Sequence, residues 1–236
     1  MKLKLLTFYT KISYYLFLFK RFVFYKSTKL EKIIEDNLAK ETFVYFQKYF
    51  EKSVLLKSKI KIRDYSITKS FLNDKNKENY YLEFGVNKSE SSNFFSKYVN
   101  KLYAFDSFEG LEEDWGGTHS AKGRLNHNRK VPKLNPNVEP IVGWVEDTLE
   151  DFLKKHNPKI NFVHLDMDTY TPTKFTLFKL KPYLVNNAII IFDELYNYPG
   201  WKNGEFKALN EVFEESEFQY KAFNLRGKQA VIQIQH

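Results

Sequence analysis

Apolar residues recur along this chain in two periods that take turns. The stretch 28–72 is mixed-charge with a helical period and has an amphipathic start at Lys29-Leu30-Glu31-Lys32-Ile33-Ile34. A polar run, Asn73-Asp74-Lys75-Asn76-Lys77-Glu78-Asn79, interrupts it. Beyond the break, short apolar runs at 80–86, 102–105, 140–145, 161–165 and 188–192 predict five strands. Helical periods at 91–99, 146–156, 173–184 and 204–216 predict the helices that alternate with them, and 219–225 with 229–235 predicts a closing antiparallel pair. Strand–helix alternation of this kind gives an α/β, doubly wound, mostly parallel sheet of seven strands with helices on both faces. The break places a boundary between an N-terminal helical extension, 1–79, and a main domain, 80–236. Residues 109–139 form one long segment rich in Gly, Asn, Pro and His.

Before residue 28 the period is helical again. Leu5, Tyr9, Ile12, Leu16, Phe19 and Val23 fall at alternating spacings of four and three, and Phe8, Tyr15, Leu18 and Phe22 widen the stripe. Lys11, Lys20 and Arg21 interrupt it, so no run of about 18 apolar residues is present to span a bilayer. The stripe suits packing on its own domain or on a second subunit, which makes a homo-oligomer the expected assembly. It equally suits peripheral contact of residues 5–25 with an anionic membrane surface, lysines at the headgroups. The expected location is the cytoplasm, with that contact as the alternative.

Composition narrows the chemistry. In 236 residues, 43% hydrophobic and 18% aromatic side chains are enough for a sizeable core and exclude disorder. The net charge of +8 is a lysine excess, since only five of the 37 basic residues are Arg. Charge alone does not point to nucleic acid. The absence of Cys excludes disulfides, thiolate zinc sites and cysteine nucleophiles. The five histidines show no ligand spacing, so a metal here would use oxygen.

Ligands of open α/β sheets sit outside the carboxyl ends of the strands. The first strand runs into Glu83-Phe84-Gly85-Val86-Asn87-Lys88-Ser89-Glu90-Ser91, where Gly85 permits a turn and close approach to a ligand and Ser91 suits a helix start. A single glycine falls short of the G-x-G-x-x-G of dinucleotide dehydrogenases. The second strand ends at Asp106, about twenty residues on, where an acid either accepts both ribose hydroxyls of a nucleoside or is a solvated turn residue. The fourth ends in His164-Leu165-Asp166-Met167-Asp168-Thr169-Tyr170 and the fifth in Phe192-Asp193-Glu194. Strands about 4.8 Å apart bring Asp166, Asp193 and Glu194 within reach of one hard divalent cation such as Mg²⁺. His164 reads as structural, and Trp115 and Trp201 suit either stacking on a sugar or packing.

These residues carry a resemblance. Tyr81-Leu82-Glu83-Phe84-Gly85-Val86 and Phe105-Asp106-Ser107-Phe108-Glu109-Gly110-Leu111 resemble class I S-adenosylmethionine-dependent methyltransferases, which have a Rossmann-like fold. Gly143-Trp144-Val145-Glu146-Asp147-Thr148-Leu149, the His164–Tyr170 block, Asp193-Glu194, Tyr198-Pro199-Gly200-Trp201 and Gly204-Glu205-Phe206-Lys207-Ala208 resemble the macrocin O-methyltransferase branch. That branch methylates sugar hydroxyls with a divalent metal. The similarity runs from about residue 80 to the C-terminus.

Carried over, the resemblance implies that Glu83, Gly85 and Ser91 line the methionine part of the cofactor. It places Asp106, with Ser107 beside it, at the ribose, and Gly143 with Trp144 at the adenine. Asp166, Asp193 and Glu194 would bind metal, Asp166 also bordering the cofactor, and Asp168 would be the general base. His119, His127 and Glu205 are further candidates for that proton. Ser89 stands where the family often has a second glycine, which puts a side chain beside the cofactor's carboxylate. The implied reaction is methyl transfer to a hydroxyl of a small-molecule or glycan acceptor. The rival from another class is a basic, aromatic-rich binding module for RNA or membrane glycans that has lost catalysis. Three acids at the centre disfavour a nucleic-acid surface.

Overall fold

The computed structural model describes residues 28–75 and 77–235. The aromatic stripe at 5–23, with the subunit, membrane and own-domain readings attached to it, lies outside the described residues. The chain divides between residues 41 and 42 into two compact units, each taken here by itself. Helix α1 (Lys29–Phe50) crosses this division, its residues from 42 onward belonging to the second unit, and it starts in the first with a reciprocal cap: the Glu31 amide donates to Thr28 Oγ1 (3.2 Å) and the Thr28 amide to Glu31 Oε2 (2.5 Å). Two amides that a helix start leaves unpaired are thereby satisfied. No helix among the described residues is long and apolar enough to cross a membrane.

The second unit is built on one sheet. Its strands are β1 (Val54–Leu56), β2 (Tyr80–Phe84), β3 (Leu102–Asp106), β4 (Val138–Val142), β5 (Ile160–Leu165), β6 (Leu184–Phe192), β7 (Phe218–Asn224) and β8 (Ala230–Ile234). They lie in the order β1-β7-β8-β6-β5-β2-β3-β4. Only β8 runs antiparallel to its neighbours β6 and β7; the other pairings are parallel. This is the doubly wound sheet the alternation predicts, with helices on both faces and one strand more. The extra strand, β1, has only three residues, two of them exposed, so it is too short to register as a period of two. It exists because the β7 edge supplies its hydrogen bonds.

Helix α2 (Lys59–Asn73) follows at once. Its buried stripe, Ile62, Arg63, Ser66, Ile67 and Ser70, has helical spacing and packs on β5 and β6. Asn161 Nδ2 donates to the Ser70 carbonyl (2.8 Å) and Oγ (2.7 Å), and Ser70 Oγ donates to the Asn161 carbonyl (3.1 Å). Residues 54–73 therefore share one core with the strands beyond the polar run. The remaining helices are α3 (Glu90–Phe95), α4 (Val145–His156), α5 (Tyr170–Leu180) and α6 (Glu205–Val212).

An aromatic knot joins the end of α1 to this core. Phe46 is fully buried, its ring 5.3–5.6 Å from those of Tyr196, Trp201, Tyr220 and Phe223. Trp201 is spent in the same cluster and packs rather than facing a ligand. Edge-to-face ring pairs add to what area burial gives. Phe46→Ala is expected to cost about 3–5 kcal/mol, the range for emptying a buried aromatic site, as a lower urea midpoint with an unchanged m-value.

Candidate functional site

The register of the central strands puts the chemistry in one row. Phe84 pairs with Phe105 on one side and Leu165 on the other, and Leu165 pairs with Phe192. The next residues along these strands are Asp106, Gly85, Asp166 and Asp193, side by side at the carboxyl edge. The β2–β5 pair is also where the strand order reverses, the position at which open sheets leave a crevice. Gly85 has φ of +90°, and a Cβ there would overlap the Asp166 carbonyl oxygen. The neighbouring strand demands the glycine as strongly as any ligand would.

Asp106 is a splint as well as a candidate ligand. Its Oδ2 accepts from the amides of Val86 (2.8 Å) and Asn87 (2.9 Å), and its Oδ1 from that of Phe108 (2.7 Å). A carboxylate has about four lone-pair sites, so one is left for a ribose hydroxyl, not the two the sequence reading assigned.

A cavity opens over this row, where open sheets bind their ligands. Of the sequence candidates, Gly85, Asp106, Ser107, Gly143, Trp144, Asp166 and Asp168 line it. Glu83, Ser89 and Ser91 do not. Glu83 is fully buried, its Oε1 2.9 Å from His164 Nδ1. Ser89, at φ +67°, donates to the Lys133 carbonyl (2.9 Å) and accepts from Asn93 (3.1 Å), which ties the turn to the long 109–139 segment. Ser91 is buried in the first turn of α3. His119 is exposed and away from the cavity. His127 touches it only through Asn87, by a 2.7 Å contact between Nε2 and Oδ1.

Five carboxyl groups gather around the ends of β5 and β6, of which Asp166 and Asp168 line the cavity. Oxygens of Asp166, Asp168 and Glu194 lie within 4.8 Å of one another. Asp193 belongs with a different set, His164 and Asp166, so the triad Asp166–Asp193–Glu194 is divided. The Asp193 carboxylate is held by Lys59, by Arg63 (3.3 Å) and by Gln229 Nε2 (3.3 Å), with His164 Nε2 at 3.6 Å. Arg63 also stands 3.7 Å from Asp166. Glu205 is fully buried and accepts from the Glu194 amide (3.0 Å). One oxygen each of Glu194 and Glu205 is buried without a hydrogen-bond partner.

Environment separates these acids. Burial, reinforced by the Asp166 and Asp193 charges, pushes Asp168 up to about 8. Burial and Asp193 raise Asp166 to about 6. Glu194 and Glu205 are raised well above the carboxylate range, burial first and neighbouring acids second. Burial works the same way on Asp193, but His164, Lys59 and Arg63 outweigh it and hold the group below its usual value.

Sequence reasoning missed Lys59 and Arg63, which reach the site from α2. One signal was present: Arg63 sits on the apolar stripe of α2, where an arginine requires a buried partner. It also missed how the long 109–139 segment is held. Gly117 and Gly200 clasp backbone to backbone, since a Cβ on Gly117 would overlap the Pro199 carbonyl and one on Gly200 would crowd that of Gly116. The clasp sets Trp115 against Tyr198 (6.0 Å between rings), and Lys228 Nζ lies 4.6 and 5.0 Å from the two ring centroids.

A family model described as a methyltransferase domain matches residues 82–195. Among solved structures, CalS11, a calicheamicin methyltransferase, superposes with a TM-score of 0.62 at 21% identity, over 89% of this chain and 95% of that one. The apo structure of CalS11, described as a TDP-rhamnose 3'-O-methyltransferase of calicheamicin biosynthesis, gives 0.55 at 19%, over 90% and 98%. The O-methyltransferase NovP gives 0.57 at 17%, over 75% and 79%. At such identities the likeness is one of fold. No curated protein matches the sequence.

Two further acids, Glu112 and Glu146, line the cavity. Both Glu146 oxygens and one of Glu112 are buried without a hydrogen-bond partner, and burial raises the Glu146 pKa. A carboxyl whose pKa rises on folding contributes most below about pH 4.3, its unfolded value, and loses that contribution as the pH climbs. Glu146→Gln is therefore expected to raise Tm of the ligand-free protein at pH 7 by up to about 2–4 °C. The gain should vanish near pH 4, and scanning fluorimetry at the two pH values checks it.

Proposed function

We propose that this chain is an S-adenosylmethionine-dependent O-methyltransferase of the macrocin O-methyltransferase kind, acting on a hydroxyl of a sugar or glycosylated acceptor. The observation that carries the reading is the row Asp106–Gly85–Asp166 beneath one cavity with the acid cluster at its end. The cofactor's methionine end lies along Gly85, its ribose at Asp106 and its adenine against Gly143 and Trp144. That orientation points the sulfonium methyl at Asp166 and Asp168. Buried carboxylates favour a cationic sulfonium over its neutral product. The sugar acceptor draws support from the printed activity of CalS11.

In the reaction the acceptor oxygen attacks the methyl carbon in line as the carbon–sulfur bond breaks, leaving S-adenosylhomocysteine. The hydroxyl proton passes to Asp168, which takes it in its ionised form. Glu205 is sealed from the cavity and His119 stands outside it, so neither takes that role. Asp166, Asp168 and Glu194 fit a hard divalent ion such as Mg²⁺: each offers one oxygen, and the buried, unpartnered Glu194 oxygen lacks the counterpart such a group requires. One oxygen apiece suffices for an ion, leaving Asp168 a second for the proton. An ion bound there lowers the pKa of the hydroxyl and orients it.

Two outcomes test the reading. Asp106→Ala should weaken S-adenosylhomocysteine binding by about 1.5–3 kcal/mol in calorimetry, the range for hydrogen bonds to a charged group. Unchanged affinity in a folded variant would remove Asp106 from the cofactor site. Excess chelator should abolish methyl transfer to any accepted sugar and leave S-adenosylhomocysteine binding intact. Full turnover in chelator would refute the metal role.

A further inference from the structure

Asp106 keeps one acceptor site free, whereas a ribose presents two neighbouring hydroxyls. Resting on the cofactor reading above, we infer that Asn87 takes the second hydroxyl through its side-chain amide, and that His127 is the positioning residue that holds this amide for it. Four residues close a ring of hydrogen bonds here. The Asn87 backbone amide donates to Asp106 Oδ2 (2.9 Å), and His127 Nε2 meets Asn87 Oδ1 at 2.7 Å. The His127 backbone amide donates to the Phe108 carbonyl (3.0 Å), and the Phe108 amide donates to Asp106 Oδ1 (2.7 Å). Asn87 and Asp106 both line the cavity, while His127 stands behind Asn87.

The ring decides which end of the Asn87 amide is offered. With its Oδ1 engaged by the Nε2–H of His127, Asn87 keeps two Nδ2–H donors, and no acceptor for them stands among the described residues. A free donor therefore neighbours the free acceptor site of Asp106. That pair complements a vicinal diol, in which one hydroxyl donates to the carboxylate and the other accepts from the amide. Without the imidazole, the Asn87 side chain would rotate and present either end, so His127 removes that freedom before the cofactor arrives. The backbone agrees. Asn87 has φ of +47° and Phe108 of +55°, left-handed conformations that side chains disfavour and that persist where the surroundings impose them. The Arg129 amide adds a second bond to the Phe108 carbonyl (3.1 Å), which anchors the His127 side of the ring twice.

Calorimetry with S-adenosylhomocysteine and its 2′-deoxy and 3′-deoxy ribose analogues tests both roles. Asn87→Gly removes the side chain and takes the left-handed backbone without strain. It should weaken S-adenosylhomocysteine by about three- to tenfold, the range for one neutral hydrogen bond, and leave one of the two analogues within about twofold of its parent affinity. A folded variant that binds S-adenosylhomocysteine as the parent does, or that loses as much with both analogues, would overturn the ribose contact. His127→Ala should lose about fivefold, and His127→Gln, which restores an N–H donor, should stay within about twofold of the parent. In the Asn87→Gly background His127→Ala should change affinity by less than about twofold, since contacts in one chain do not add. A loss there as large as in the parent overturns the positioning role. Should Asn87→Gly fail to fold, the parent decides: each analogue should bind more weakly than the intact compound, and one bound equally well would overturn the contact. A parent that binds no S-adenosylhomocysteine overturns the methyltransferase reading as well.

Discussion

The close approach of Gly85 to the Asp166 carbonyl is the contact on which the site depends. Strands β2 and β5 run parallel there with their successor loops leaving in opposite directions, and the two main chains meet without a side chain between them. Any Cβ would force β2 and β5 apart at the edge where Asp106, Gly85, Asp166 and Asp193 stand in line. The cavity follows from that contact, because the crevice between diverging loops has a width set by two backbones rather than by flexible groups. Asp106 completes it by binding the amides of Val86 and Asn87, which fixes the turn in its open shape before any ligand arrives.

The acids illustrate how a small difference in surroundings assigns separate tasks to the same functional group. Asp166, Asp168, Glu194 and Glu205 share burial and mutual repulsion, and all have raised pKa values. Asp193 has the same burial, yet the cations of α2 and the imidazole of His164 reverse its shift. A cluster of five identical carboxylates would carry too much charge to stay folded in a cleft. This one is sustained because one member is neutralised by the chain itself, while the raised pKa values of the others favour their neutral forms.

Much of this was legible in the sequence. Strands with apolar runs of five or more residues announced themselves, and the residues just past β3, β5 and β6 marked the site because an acid after an apolar strand is conspicuous. What escaped had no local signature. The three-residue β1 depends on an edge provided by β7, more than 160 residues later. Lys59 looks like any solvated lysine, and its pairing with Asp193 spans 134 residues of sequence. Glu83 belongs to the most family-like block of the chain, yet it faces His164 and not the cavity, a choice made by the alternation of side chains along β2 and invisible in the motif.

The clasp between Gly116–Gly117 and Pro199–Gly200 gives the domain an uneven capacity for change. It is made by main-chain atoms, so its geometry survives whatever side chains the surrounding segment carries, provided that the glycines stay. The carboxyl edge of the sheet is the opposite case, since there side-chain pairs such as Lys59 with Asp193 and His164 with Glu83 set the geometry. Side chains of residues 109–139 can therefore drift by substitution while the backbone course of that segment, pinned at the clasp, stays where it is.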